Sequence, residues 1–113
     1  KIAMFSHAGD RSDDEIRNLT YAVTELDASL YIVTELELYL RGREIGEVPK
    51  IVDEYLRKQL IPSDKIQNAA DPLAGAKIAM NFAQPGDVVL LFVLSDREQV
   101  HEYLTQLVSH KVY

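Results

Sequence analysis

Short continuous apolar runs alternate along this chain with stretches whose apolar positions recur every three to four residues, so the pattern reads strand, helix, strand, helix throughout. Lys1–Phe5 is a strand-sized apolar run. Ser12 and Glu15 form a capping box for the helix that follows, which carries Ile16, Leu19, Val23 and Leu26 on one face. Leu30–Val33, β-branched and aromatic, reads as the second strand. A polar stretch from Thr34 to Glu47 comes next and is long for a connection in a small domain. Pro49 suits the first turn of a helix, whose stripe runs through Val48, Ile51, Val52, Tyr55, Leu56 and Leu60. Lys65–Asn68 is a third, weaker strand. Asp71-Pro72 caps and opens an alanine-rich helix through Ala83, and Pro85-Gly86-Asp87 signals a turn. Val88–Leu94 is the strongest strand, and its lack of alternation predicts that both faces are covered. Ser95 and Glu98 predict a second capping box, opening a helix with Val100, Tyr103, Leu104 and Leu107 inward.

Strands separated by helices imply right-handed crossovers and a parallel sheet covered on both sides. The fold class expected is therefore α/β: a Rossmann-like, three-layer αβα sandwich with a mainly parallel sheet, formed by residues 1–113 as one domain. Ligands of such folds collect beyond the carboxyl ends of the strands. Here those ends carry Gly9-Asp10-Arg11, the Arg41–Glu47 loop, Ala69–Asp71 and Ser95–Arg97.

Composition narrows the functional classes. The chain has 113 residues, 47% of them hydrophobic, which suits a single core. A formal net charge of −6 argues against a nucleic-acid partner, which needs a basic face. No apolar stretch is long enough to span a bilayer, so no membrane partner is expected. The absence of cysteine excludes disulfides, thiolate metal sites and thiol nucleophiles. The chain opens at Lys1 with neither an initiator Met nor a secretory signal, and the reading is a cytoplasmic domain excised from a larger protein.

Two segments carry candidate chemistry. Gly9-Asp10-Arg11 joins a strand to a helix start, where glycine permits a tight turn, the helix dipole attracts anions and Arg11 offers a planar fork. It has too few glycines for a dinucleotide fingerprint, and no Gly-Lys-Ser/Thr triplet exists for a phosphate loop. Arg41-Gly42-Arg43 places two guanidiniums on a long loop, suited to clamping a carboxylate or phosphate. Each segment has a plain alternative: an ordinary surface loop for the first, and arginines balancing Glu35, Glu37, Glu44 and Glu47 on a solvated face for the second. His7, His101 and His110 are too scattered for metal-ligand spacing. His7 reads as a polar loop residue and His101 as exposed on the last helix. Asp13-Asp14-Glu15 reads as a helix start and not as a metal cluster.

Taken in order, Gly9-Asp10-Arg11, Leu40-Arg41-Gly42-Arg43 with Gly46-Glu47, and Pro85-Gly86-Asp87 before an apolar strand resemble the C-terminal domain of Mur ligases. The arginine segment is the most specific of these, and it is most similar to the cyanophycin synthetase branch. Leu94-Ser95-Asp96-Arg97 departs from the Gly-Lys-Gly-type segment of many Mur ligases, and Ser6-His7-Ala8 is also atypical. The resemblance implies an ATP-dependent ligase that activates a carboxylate as an acyl phosphate, which an amine then attacks to form an amide. It implies that ATP and Mg2+ are bound mainly by a central ATPase domain of the same chain. None would then be bound tightly by this domain alone. By the same resemblance Gly9, Asp10 and Arg11 lie at the nucleotide or acyl-phosphate cleft. Arg41 and Arg43 would lie on the loop that recognises the incoming amino acid, which is arginine in the cyanophycin branch. No residue of the domain is itself catalytic on this reading, and the isolated domain is inactive. The alternative is a non-catalytic Rossmann-like binding or oligomerisation module, since such sandwiches host many functions.

Overall fold

In a computed structural model, the structure describes residues 1–7, 9–36 and 40–110, with the side chains of Ser109 and His110 left out. Among these residues the elements run β1 (Ile2–Phe5), α1 (Asp13–Thr24), β2 (Leu30–Thr34), α2 (Glu47–Lys58), β3 (Ile66–Ala69), α3 (Pro72–Phe82), β4 (Val89–Leu91) and α4 (Arg97–His110). A 3-10 turn, Ser63–Lys65, leads into β3. The four strands form one sheet in the order β3-β2-β1-β4, and every pairing is parallel. This is the Rossmann-like α/β arrangement expected from the alternation of elements.

Period-two alternation within the central strands sorts the core onto two faces. Ala3, Phe5, Tyr31 and Val33 face one way, joined by Ile16 of α1 and Val48, Val52 and Leu56 of α2. Ile2, Met4, Leu30 and Ile32 face the other way, toward Ala79 of α3. With helices on both sides, β1 and β2 read as unbroken apolar runs. The small residues of α3 let it lie close to the sheet. A Cβ on Gly75 would stand 2.6 Å from Met4 Sδ and 2.7 Å from Thr34 Cγ2.

Local chemistry accounts for most boundaries. Ser12 accepts the Glu15 N–H at 3.1 Å while Glu15 accepts the Ser12 N–H at 3.0 Å, which is the expected capping box. Asp71 caps α3 by accepting the Ala74 N–H at 2.8 Å, with Pro72 opening the helix. In the turn before β4 the Asp87 N–H closes on Gln84 O at 2.9 Å and Gly86 takes φ +94°. Pro85-Gly86-Asp87 thus sits at the amino end of β4, away from the carboxyl ends of the strands, and its evident job is the turn.

Four expectations need correction. β4 is shorter than Val88–Leu94 and lies at the sheet edge, where Val88, Phe92 and Leu94 are exposed. Leu60 does not extend the α2 stripe: it follows the helix end at φ +64° and is 88% exposed. Leu19 is exposed, and the inward position one residue on is the fully buried Thr20. The Ser95 capping box does not form, because α4 starts at Arg97, with the Val100 N–H bonded to Asp96 O at 2.9 Å and Asp96 at φ +57°.

Candidate functional site

The strand order reverses between β1 and β4: the chain builds outward through β2 and β3, then returns to the other side of β1. A crevice at such a reversal, beyond the carboxyl ends, is where open α/β sheets bind ligands. There lies a cavity of about 520 Å³ lined by Asp10, Arg11 and Glu15 after β1, Leu36 and Arg41 after β2, and Leu94 and Arg97 after β4. Three guanidiniums and two carboxylates meet there, so the cleft is suited to an anion held by planar forks.

The two sequence segments that converge on this cleft are interlocked. Leu40, Arg41, Gly42 and Arg43 form a tight turn, with the Arg43 N–H bonded to Leu40 O at 3.0 Å. Arg41 has φ +52° and Gly42 φ +92°, the signs of a type I′ turn. Gly42 adopts this backbone at no steric cost, whereas Arg41 costs about 1 kcal/mol. The turn packs directly on the β1–α1 loop: a Cβ on Gly9 would lie 1.8 Å from Leu40 O. Gly9 is therefore required for close approach of two backbones, and no phosphate contact need be invoked for it.

Arg43 fastens the two segments. Its Nε donates to Gly9 O at 2.9 Å, Nη2 donates to Arg11 O and to Asp13 Oδ1, both at 2.8 Å, and Nη1 donates to Glu47 Oε2 at 2.5 Å. Hydrogen bonds to Asp13 and then Glu47 raise its already high pKa. A guanidinium has five N–H donors, and this one spends them mainly on the protein. Glu35 holds the other end of the same loop: it is buried and accepts the Leu36 N–H at 3.2 Å and the Gly46 N–H at 2.6 Å. Of the counter-charges expected around the arginines, Glu47 pairs with Arg43, Glu35 organises the loop, and Glu37 lies outside the described residues.

Asp10, Arg11 and Arg41 thus line one cleft, Gly9 packs against Leu40 behind it, and Arg43 joins the two loops as a brace. Sequence reasoning missed two residues. The sequence offers Arg97 only as part of a strand end, although an arginine opening a helix just past the most apolar strand is the available signal. Glu35 gave no signal, because its partner is the backbone of Gly46.

His7 is buried, not a polar loop residue. Burial, followed by the positive charge of Arg11, lowers its pKa to about 4, so it is neutral near pH 7. Its Nε2 lies 3.4 Å from Thr20 Oγ1, and its ring meets Phe5 edge-on at 5.9 Å. His101 is exposed on α4 as expected, and the side chain of His110 lies outside the described residues. Asp13 and Asp14 pair with Arg43 and Arg17, and Glu15 closes the capping box. Among the described residues no three His, Asp or Glu side chains cluster in a way that would hold a metal ion, and no helix is long and apolar enough to cross a membrane.

A second cavity, of about 590 Å³, lies at the carboxyl end of β3 against α2, lined by Lys50, Asp53, Arg57 and Asn68 among others. It is larger than the arginine cleft but lies away from the reversal of strand order. Asp53 Oδ2 there accepts from Asn68 Nδ2 at 2.8 Å. Comparison with protein-family models, curated proteins and solved structures finds no match.

Proposed function

We propose that this chain is the closing, substrate-positioning domain of an ATP-dependent ligase that forms amide bonds, of the Mur type and cyanophycin synthetase-like. The observation that carries this reading is the convergence of Arg11, Arg41 and Arg97 in one cleft at the reversal of strand order, with the loops that carry Arg11 and Arg41 locked together by Arg43. The residues fit the phosphate end of a nucleotide or an activated carboxylate, because guanidinium forks match both groups and the cleft opens outward. ATP with Mg2+, held mainly by a central domain of the same chain, supplies the activation. This chain's own residues neutralise and orient the anion as the domain closes, a form of catalysis by positioning and charge stabilisation. The incoming amino acid, arginine on the cyanophycin-like reading, meets the Arg41 turn. A cytoplasmic location belongs to the same proposal.

The test is made in the polypeptide that carries residues 1–113. With ATP-dependent amide formation present, Arg41→Ala lowers kcat/KM by roughly a hundredfold and leaves thermal unfolding unchanged. An unchanged rate removes the cleft from the reaction. The second reading, a non-catalytic binding or oligomerisation module, is favoured by the exposed apolar side chains of Val88, Phe92 and Leu94 on either side of β4. It is the one left standing if no ATP-dependent ligation accompanies this domain.

A further inference from the structure

On the α1 side of the sheet, Ile16 packs over β1 and β2, and a groove opens between α1 and β4. It encloses about 390 Å³ and is lined by Leu19 and Ala22 of α1, by Leu26 just past its end, by Phe92 and Leu94 after β4, and by Phe5. Phe92, Leu94 and Leu19 stand 48%, 43% and 37% exposed. Such apolar area left in water loses about 25 cal/mol per Å² that burial under a ligand would recover. The groove and the arginine cleft adjoin, because Arg11 and Leu94 line both.

We propose that the groove and the cleft are two compartments of one site, which takes an amphipathic anion. A flat apolar or heteroaromatic body occupies the groove, and its carboxylate, sulfonate or phosphate group rests on Arg11. Three observations fix this chemistry. The groove has the volume of a small-ligand pocket, about 300 Å³ or more, and is mostly apolar with few polar groups. The charge at its open end is that of Arg11, with Arg41 and Arg97 beyond, which selects an anion. At its inner wall stand two buried polar side chains with little to bond. Among the described residues the Ser6 hydroxyl, itself closed off from solvent, has no hydrogen-bond partner, and His7 has only the long contact to Thr20. A ring nitrogen or hydroxyl on the ligand body would give the His7 ring a further partner and offset the cost of burying it with so few. His7 is neutral there, so it adds a hydrogen bond and no charge.

The inference rests on the anion reading of the cleft, and the experiment separates the two. The 113-residue chain is titrated, by amide-resolved NMR and fluorescence, with three probes: 1-anilinonaphthalene-8-sulfonate for the whole site, indole for the body alone and pyrophosphate for the head alone. Ala22 and Arg11 are exposed, so Ala22→Phe and Arg11→Ala leave the core intact. The sulfonate probe is expected to bind once per chain, shift the amides of Leu19, Ala22, Phe92 and Arg11, and be displaced by either part. Ala22→Phe is expected to abolish binding of the sulfonate probe and of indole while pyrophosphate binds as before. Arg11→Ala is expected to weaken the sulfonate probe about tenfold, the worth of one charged hydrogen bond, and to leave indole unchanged. If Ala22→Phe binds the sulfonate probe as the parent does, or sedimentation shows a second copy covering the groove, the inference falls while the cleft stands. If pyrophosphate does not bind and Arg11→Ala changes nothing, the cleft reading falls and takes the inference with it.

Discussion

Arg41 and Arg43 stand two positions apart on one loop, yet their side chains go to different places. Arg41 lines the cleft, whereas Arg43 turns inward to Gly9 O, Arg11 O, Asp13 and Glu47. That two arginines on a long loop could bind anions was legible in the sequence. Which of them is the brace was not, because three of the four groups that claim Arg43 lie about thirty residues earlier in the chain. The Gly9–Leu40 contact is equally non-local. Replacing Gly9 by Ala drives a Cβ into Leu40 O, and since both partners are backbone neither can rotate away. Gly9→Ala is expected to cost about 1–3 kcal/mol in a urea titration and, by displacing the Arg41 turn, to weaken pyrophosphate binding. Parental stability and affinity in this variant would show that the two loops do not need to touch.

Helix α2 shows how far periodicity reaches. Of the stripe from Val48 to Leu56, Val48, Val52 and Leu56 are buried and Ile51 and Tyr55 half-buried, but Leu60 fits the same period and is not part of the helix. The Leu60 N–H bonds to Arg57 O at 3.0 Å and the Ile61 N–H bonds to Leu56 O at 3.1 Å. This is the Schellman pattern, with leucine in the left-handed position that glycine usually fills. Ile61, not Leu60, turns back onto the core. Leu60→Gly relieves the left-handed strain and removes an exposed leucine, offset in part by the greater freedom of glycine when unfolded. The net gain expected is about 0.5–1 kcal/mol, or a rise in Tm of roughly 2–4 °C by calorimetry. A fall in Tm would contradict this account of the cap. The apolar run Val88–Leu94, which contains β4, fails in a related way: continuous apolar residues indicate burial on both faces, but the pairing partners of a strand are set by the whole topology.

For the molecule as a whole, the buried His7 links stability to pH. Its folded pKa of about 4 lies below the ordinary value of 6.5, so the unfolded chain binds the proton that the folded chain excludes. Stability from this group is fully present above pH 6.5 and is lost as pH falls toward 4. Between pH 7 and pH 5 the loss is about 2 kcal/mol by linkage. His7→Phe should remove that difference when urea midpoints are compared at the two pH values. Equal losses in parent and variant would mean that His7 protonates in the folded state without penalty. Nothing in the sequence marked this histidine as buried. Its environment is built by Phe5, by Thr20 on α1 and by Arg11, and only the packing of α1 against β1 closes it off.

What the sequence determined alone is what local physics determines. Apolar period and capping residues gave the order of elements, the turn before β4 and the parallel α/β class. All of these depend on groups a few residues apart. Tertiary structure alone decided which strand became the edge, that Arg97 joins Arg11 and Arg41, that Arg43 braces two loops and Glu35 holds the Gly46 backbone, and that His7 is neutral. Each of these depends on groups far apart in the chain, and their meeting is set by the order β3-β2-β1-β4. That order places the ends of β1 and β4 side by side, and so places the cleft.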